Sequence, residues 1–154
     1  MRNELILWAD DEIDLLKPHI LFLKQKGYEV ITVSNGRDAL EMSEKEHFDL
    51  IILDENMPGL SGLETLSRIK ETNPDAPVVM ITKNEEENIM TQAIGNKIAD
   101  YLIKPVNPNQ ILLSIKKNLY QKEIISEKAT SGYQQEFNKI SSQINDSFSW
   151  EDWY

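Results

Sequence analysis

The sequence contains no cysteine and only two histidines. Without cysteine the chain can form no disulfide and can offer no thiolate to a metal ion. The two histidines, His19 and His47, are far from each other and from any other ligand-type cluster, so we interpret them as ordinary surface or hydrogen-bonded side chains. These absences exclude disulfide scaffolds and thiolate zinc sites, and they suit a reducing compartment.

Long hydrophobic runs are also missing. No stretch approaches the roughly 18 apolar residues of a membrane span, and the apolar run within residues 1–9 is too short for a signal peptide. We therefore expect a cytoplasmic protein without membrane insertion. The length of 154 residues and the 40% hydrophobic composition suffice for one ordinary domain and a small extension.

Basic residues are scarce relative to acidic ones. The chain has 26 acidic and 16 basic residues and a formal net charge of −10. This balance argues against binding to nucleic acid or to an anionic membrane, and it is compatible with holding a cation. The sequence also has neither a basic patch nor a helix-turn-helix pattern, so we expect no direct nucleic-acid binding.

Short apolar runs alternate with helical patterns along the chain, which is typical of βαβ units and a parallel sheet. The runs at 50–53 and 78–81 are continuous and apolar, as expected of central strands covered on both faces. The pattern predicts a doubly wound α/β fold with helices on both faces of the sheet. The five predicted strands are Leu5–Ala9, Val30–Val33, Leu50–Leu53, Val78–Ile81 and Tyr101–Ile103.

Capping and turn residues predict where the five helices begin and end. They place a first helix over the 15–26 pattern ending at Gly27, a second from Asn35-Gly36 through Glu46, a third from Ser61 to just before Asn73-Pro74, a fourth led by residues 85–88, and a fifth starting at Asn107-Pro108. Pro18 is compatible with the first helix only if that helix has just begun.

Polar residues follow the predicted strands where each one ends. Asp10 and Asp11 follow the first strand, Asp54 the third, Thr82 the fourth and Lys104 the fifth. Because ligands of open α/β sheets collect at the carboxyl ends of the strands, these side chains should share one edge. Three carboxylates there need either raised pKa values or a cation, and an oxygen-only cluster suits Mg²⁺. Mg²⁺ beside a nucleophilic carboxylate favours phosphoryl transfer.

Within that chemistry, Asp54 is the candidate nucleophile. Lys104 would pair with one phosphoryl oxygen, and the Thr82 hydroxyl would hydrogen-bond another. Taken singly, each residue has an ordinary explanation: the aspartates as loop, capping or turn acids, Lys104 as a solvated charge and Thr82 as a strand residue. Their joint placement at one edge favours the functional interpretation.

Four stretches, "DDE" at 10–12, "LDENMPGLSG" at 53–62, "MIT" at 80–82 and "YLIKP" at 101–105, resemble the receiver domain of two-component response regulators. The resemblance covers residues 1–122 and implies a flavodoxin-like or CheY-like five-stranded parallel sheet of order 2-1-3-4-5. It also implies that Asp54 accepts a phosphoryl group from the phosphohistidine of a sensor histidine kinase.

The same resemblance implies the roles of the surrounding residues. Asp11, Asp54 and the backbone carbonyl of Asn56 would ligate Mg²⁺, with Mn²⁺ as an alternative ion, and Asp10 would act through a water. Lys104 would contact the phosphoryl group. The remaining implied features are a switch pair of Thr82 and Tyr101 and a cis peptide between Lys104 and Pro105.

Phosphorylation in this family reshapes the surface of the fourth helix, fifth strand and fifth helix and typically favours a homodimer. A receiver catalyses its own phosphorylation and dephosphorylation, and we expect no independent turnover enzyme in these residues. The alternative is a pseudo-receiver, a protein-interaction module that keeps the fold without phosphoryl transfer.

One position departs from the family pattern. The residue after the switch threonine is usually small, whereas this chain has Lys83. A long cation beside the site could attract phosphate or obstruct the water of a phosphatase, which would change the lifetime of the phosphoryl group. Glu12, by contrast, is expected only to border the site.

Longer stretches, among them "LWADDEIDLLKPHI" and "IADYLIKPVNPNQILLS", resemble the PorX-type response regulators of type IX secretion. In those proteins a receiver and a short helical region precede a PglZ-type zinc-dependent hydrolase domain. We expect residues 123–154 to be a helical extension or linker, and the chain to be a fragment without that effector domain. An apolar face in this extension would dock a partner or effector, or else pack locally; it comprises Tyr133, Phe137, Ile140, Ile144 and Phe148.

Overall fold

A computed structural model of the chain describes residues 3–83 and 87–126. The first compact unit runs to Lys104 and contains five strands and four helices, and the fifth helix belongs to the second unit. The strands are β1 (Leu5–Ala9), β2 (Glu29–Val33), β3 (Leu50–Asp54), β4 (Val78–Thr82) and β5 (Asp100–Ile103). The helices are α1 (Lys17–Gln25), α2 (Gly36–Lys45), α3 (Gly62–Thr72), α4 (Glu87–Gly95) and α5 (Pro108–Ser126).

The sheet is parallel throughout, with the order β2-β1-β3-β4-β5. All residues of β1, β3 and β4 are buried, as the continuous apolar runs predict for central strands. The order 2-1-3-4-5 implied by the family resemblance is confirmed.

Side chains of the central strands alternate between two packed layers. On one face, Leu7 and Leu53 join a core that includes Ala39 of α2, Leu66 of α3 and Ala93 of α4. On the other face, the Trp8 ring meets His19 of α1 edge to face, with ring centroids 6.4 Å apart. Helices therefore cover both faces of the sheet, and the doubly wound α/β prediction is confirmed.

Two predicted helix starts are confirmed by their caps. The Asp38 N–H donates to the Asn35 side chain at 2.8 Å, and the Glu64 N–H donates to the Ser61 hydroxyl at 3.1 Å. Each bond satisfies a backbone donor that the first helical turn leaves without a partner. The Ser61 cap fixes the start of α3 close to the end of β3.

The predicted start of the first helix was wrong. Residues Ile13–Leu16 form a short 3₁₀ turn, and α1 begins only at Lys17. Pro18 explains the difference, because a proline without an N–H fits the first turn of a helix but not a later one. The predicted end is confirmed, since Gly27 adopts a φ of +97°, which a residue with a side chain rarely tolerates.

The structure describes the predicted start of the fifth helix in full and that of the fourth helix only in part. α4 is described from Glu87, and residues 84–86 of its predicted leading segment lie outside the described residues. In the second unit, α5 begins after Asn107 as predicted. The Gln110 N–H donates to Asn107 Oδ1 at 2.9 Å, and the Asn107 N–H donates back to Gln110 Oε1 at 3.2 Å.

The predicted apolar face at Tyr133, Phe137, Ile140, Ile144 and Phe148 lies outside the described residues. Among the helices that the structure does describe, none combines the length and the apolar character needed to cross a bilayer.

Candidate functional site

Strand register brings the predicted polar residues to one edge of the sheet. Asp54 at the end of β3 pairs with Ile81 of β4, one residue before Thr82. The backbone N–H of Lys104 donates to the Thr82 carbonyl at 2.7 Å, which aligns the ends of β4 and β5. Asp10 directly follows β1. The predicted strand-end residues are therefore the last residues of strands that end at this edge, or lie just after them.

Three carboxylates form an acidic cluster at this edge. Asp10, Asp11 and Asp54 each place an oxygen within 4.8 Å of the others. Asp10 and Asp54 are buried, whereas Asp11 is exposed. A set of oxygen ligands that opens to solvent on one side suits a hard cation that keeps several waters, such as Mg²⁺.

Lys104 lies between the two buried carboxylates. Its ammonium is 2.9 Å from Asp10 Oδ2 and 3.5 Å from Asp54 Oδ2, and its side chain is only 13% exposed. The other Asp10 oxygen, Oδ1, accepts the backbone N–H of Glu12 at 2.8 Å. Both Asp10 oxygens therefore have protein partners, which leaves Asp10 less available for direct contact with a cation than Asp54 or Asp11.

Asp54 is the carboxylate with the most unusual environment. Its Oδ1 atom is buried and has no hydrogen-bond partner among the described residues. Burial, and then the charge of Asp10, raise the pKa of Asp54 from 3.8 to about 7. Lys104 and the backbone N–H of Asn56 oppose that rise in pKa, although the Asn56 N–H makes no well-formed hydrogen bond to Oδ1. Asp54 is thus a carboxyl group that a bound cation would favour in its charged form.

We expect the metal-free protein to lose stability as Asp54 ionises. The pKa of Asp54 is about 7 in the folded protein and 3.8 in the ordinary, unfolded case. Protonated Asp54 therefore contributes its full stabilisation below pH 3.8, and this stabilisation is lost as the pH rises through about 7. Asp54→Asn removes this loss. Its advantage in free energy of unfolding over the wild type should grow, to on the order of a few kcal/mol, between about pH 4 and pH 8.

Urea denaturation across this pH range, followed by circular dichroism without Mg²⁺, measures the difference. Asp14→Asn, an exposed acid in the 3₁₀ turn, is the matched control and should follow the wild type. Parallel stability profiles for Asp54→Asn and wild type would contradict the raised pKa.

The segment that joins β3 to α3 lies close against the site. The Gly62 N–H donates to the Glu55 carbonyl at 3.0 Å, and the Leu63 N–H donates to the Glu55 carboxylate at 3.2 Å. Glu55 is 6% exposed. Sequence reasoning missed this buried acid. The available signal was an acidic residue a few positions before a helix start, where the helix N-terminus favours negative charge.

Gly62→Ala is expected to destabilise the fold by about 1–3 kcal/mol, since a β-carbon there cannot be accommodated without a backbone shift. It would lie 2.6 Å from the Asp54 carbonyl oxygen and 2.8 Å from the Glu55 α-carbon. Chemical denaturation measures the change. Gly95→Ala is the matched control, because a β-carbon at Gly95 meets no atom within 4 Å apart from its chain neighbours and the backbone of its own helix. Equal unfolding midpoints for the two variants would contradict the close packing of Gly62 against the backbone of Asp54 and Glu55.

The proposed switch residues lie on neighbouring strands. Thr82 is fully buried at the end of β4, and Tyr101 pairs with Met80 of β4 and packs, partly buried, against the hydrophobic core. Their role as a switch pair, and the cis peptide between Lys104 and Pro105, stay predictions. Asn56, whose carbonyl is the predicted third metal ligand, is exposed.

Sequence reasoning also missed the partner of Lys83. Its ammonium is 2.8 Å from Glu12 Oε1, in an ion pair between residues 71 positions apart. The pairing lowers the pKa of Glu12 and raises that of Lys83. Glu12 therefore borders the site and also pairs, through its side chain, with the ammonium of Lys83, the residue after Thr82.

Comparison with known proteins identifies the class. Residues 6–116 match the response regulator receiver domain, and the chain belongs to this family. Residues 123–154 match the PorX response regulator linker domain. The alkaline phosphatase synthesis transcriptional regulatory protein PhoP of Bacillus subtilis is 34% identical over 122 residues, which are 79% of this chain and 51% of PhoP. The chain thus spans about half the length of the curated relatives it matches.

Solved structures agree in fold. A CheY-like receiver domain from Methanospirillum hungatei superposes with a TM-score of 0.76 at 28% identity, covering 79% of this chain and 98% of its own. A Burkholderia pseudomallei response regulator, solved with a phosphorylated aspartic acid, a calcium ion and citrate, gives a TM-score of 0.69 at 27% identity, covering 82% and 74%.

Receiver domains of two-component systems are phosphorylated on an aspartate, bind Mg²⁺ in an acidic pocket, and interact with sensor kinases and effector domains. In this chain the acidic pocket is the cluster of Asp10, Asp11 and Asp54.

Proposed function

We propose that Asp54 is the residue that accepts the phosphoryl group, from a phosphohistidine of a sensor histidine kinase. The nitrogen–phosphorus bond of the donor breaks, a bond forms between phosphorus and an Asp54 carboxylate oxygen, and the histidine leaves with the electron pair and takes a proton. The observation that supports this most is the grouping of Asp54 with two further carboxylates and Lys104 at the carboxyl edge of the sheet. A buried Asp54 oxygen without a hydrogen-bond partner among the described residues suits a group that forms a new bond.

The cation would be held by Asp11, by Asp54 and by the carbonyl of Asn56. Asp10 would act through a water, since both of its oxygens already accept hydrogen bonds from Glu12 and Lys104. Bound Mg²⁺, or Mn²⁺ in its place, offsets the charge of the transferring phosphoryl group and favours the ionised form of Asp54. Lys104, whose ammonium is 3.5 Å from Asp54 Oδ2, would neutralise a phosphoryl oxygen, and the Thr82 hydroxyl would donate to another.

Incubation with acetyl phosphate and Mg²⁺, followed by intact-mass spectrometry, tests this proposal. The wild type should gain one phosphoryl group, and omission of Mg²⁺ or the change Asp54→Asn should prevent the gain. Asp14→Asn, which removes an exposed acid that is not part of the acidic cluster, should leave the gain unchanged. A wild type that gains no Mg²⁺-dependent adduct would instead be a pseudo-receiver that acts by binding alone.

Phosphorylation is further proposed to draw Thr82 toward the phosphoryl group, to move Tyr101 with it, and to favour a homodimer through the α4, β5 and α5 surface. Ile94 of α4 is an apolar side chain that is 61% exposed on this surface, so a charge placed there tests the proposed contact.

Beryllofluoride, which mimics a phosphoryl group, should shift the wild type toward a dimer in sedimentation experiments with Mg²⁺. Ile94→Lys should weaken that shift because it places a charge in the proposed contact. Leu21→Lys, a change at a side chain of α1 that is 58% exposed, is the matched control and should not weaken it. Unchanged sedimentation of the wild type at high concentration would contradict phosphorylation-promoted dimerisation.

The linker match supports a further assignment. We propose that residues 1–122 are the receiver and residues 123–154 the linker of a cytoplasmic PorX-type regulator, whose PglZ-type effector domain is linked to type IX secretion. The gene sequence downstream of the codon for Tyr154 tests it. A DNA-binding domain encoded there would contradict this assignment without affecting the role of Asp54.

A further inference from the structure

The ion pair between Lys83 and Glu12 crosses the edge of the sheet directly at Asp54. Lys83 follows the end of β4, Glu12 lies in the segment after β1, and β3 runs between these two strands. Neighbouring strands are about 4.8 Å apart, so the two backbones are separated by roughly 10 Å. The side chains close this distance to 2.8 Å. They therefore meet over the end of the strand that carries Asp54.

The pair lies on the side from which solvent reaches the pocket. Asp54 is only 2% exposed and Asp10 is fully buried, whereas Asp11, Glu12 and Lys83 have solvent contact. A water that attacks a phosphoryl group on Asp54 must approach from the side opposite the Asp54 oxygen. The Lys83 side chain lies on this solvent-facing side, where it meets Glu12 over the end of β3.

The pair is also easily exchanged. The Lys83 side chain is 55% exposed and the Glu12 side chain 40% exposed, and ion pairs in such positions contribute little to stability. The charges of Asp54 and Asp11 raise the pKa of Lys83 in addition to the effect of Glu12, so the ammonium is within electrostatic reach of the pocket. A phosphoryl group adds more negative charge there than either carboxylate.

We infer that Lys83 changes partners with the state of the site: it pairs with Glu12 in the unphosphorylated protein and with phosphoryl oxygens once Asp54 is phosphorylated. This inference rests on the proposed phosphorylation of Asp54. In its second position Lys83 hinders hydrolysis, in which a water oxygen bonds to phosphorus and the phosphorus–Asp54 oxygen bond breaks. That hydrolysis yields the carboxylate, inorganic phosphate and a proton. Glu12 competes for Lys83 and so shortens the phosphoryl lifetime.

The rate of phosphoryl loss after removal of the donor tests the exchange, with phosphoprotein followed by intact mass in Mg²⁺. Lys83→Ala should raise the rate roughly twofold to fivefold, as expected for the loss of one exposed charge contact. Glu12→Gln should lower it, because Lys83 is then free to stay on the phosphoryl group. The double variant Glu12→Gln with Lys83→Ala should match Lys83→Ala alone. Lys97→Ala, at an exposed turn lysine, is the control.

If the two single variants change the rate in opposite directions, Lys83 exchanges partners. If the ion pair only holds two loops together, both variants should change the rate in the same direction, and that result would overturn the inference. Equal rates in all variants would overturn it as well, while leaving the phosphorylation of Asp54 intact. If the wild type forms no adduct, the proposed function fails and the exchange fails with it.

Discussion

Lys104→Met should abolish detectable phosphorylation of Asp54 and lower the free energy of unfolding by about 3–5 kcal/mol. The stability loss follows from Asp10, which is fully buried and whose Oδ2 accepts from the Lys104 ammonium at 2.9 Å. Removing the cation leaves a buried carboxylate without its opposite charge. The loss of phosphorylation follows from the 3.5 Å distance to Asp54 Oδ2, at which the ammonium is placed to neutralise a phosphoryl oxygen.

A second substitution separates the two effects of Lys104. Adding Asp10→Asn to Lys104→Met removes the uncompensated buried charge, so most of the stability should return while phosphorylation stays absent. Urea denaturation measures the first quantity, and acetyl phosphate labelling with intact-mass detection measures the second. Lys97→Met, at an exposed lysine, is the matched control and should change neither the stability nor the phosphorylation. Normal labelling of the Lys104→Met variant would contradict the role of Lys104.

Asp11→Asn should lower the affinity for Mg²⁺ at least about tenfold with little change in the stability of the metal-free protein. Asp11 belongs to the acidic cluster but is exposed, so its loss leaves no buried group without a partner. Its negative charge also raises the pKa of Asp54, although less than burial and Asp10 do. The variant should therefore have a slightly lower Asp54 pKa as well as a weaker metal site.

Isothermal titration calorimetry measures the affinity for Mg²⁺ of the wild type and of Asp11→Asn. Asp14→Asn removes an equal charge from a neighbouring exposed position and should bind Mg²⁺ nearly as the wild type does. Equal affinities for Asp11→Asn and Asp14→Asn would show that Asp11 contributes only general negative charge and is not a ligand.

The fold could be predicted well from the sequence because its signals are local. Continuous apolar runs predicted the central strands, and Asn35 and Ser61 predicted helix starts through side chains that cap within three residues. The edge cluster was also predictable, since parallel strands place their carboxyl ends together and the acids, Thr82 and Lys104 directly follow predicted strands.

The features that sequence reasoning missed depend on contacts or conformations that no local pattern encodes. Lys83 and Glu12 are 71 positions apart, and only the order β1-β3-β4 brings them together over Asp54. Burial of Glu55 depends on how α3 approaches β3 at Gly62. The late start of α1 is an exception, because its signal, Pro18, is local; the apolar pattern from Leu15 led the prediction to an earlier start.

Chemical mapping of the phosphorylated residue tests the central claim most directly. Borohydride reduces an aspartyl phosphate to homoserine, and peptide mass spectrometry then locates the modified position. After labelling with acetyl phosphate and Mg²⁺, we expect homoserine at position 54 in the wild type and at no position in Asp54→Asn. Homoserine at position 10 or 11, or none in the wild type, would contradict the assignment of Asp54 as the phosphoryl acceptor.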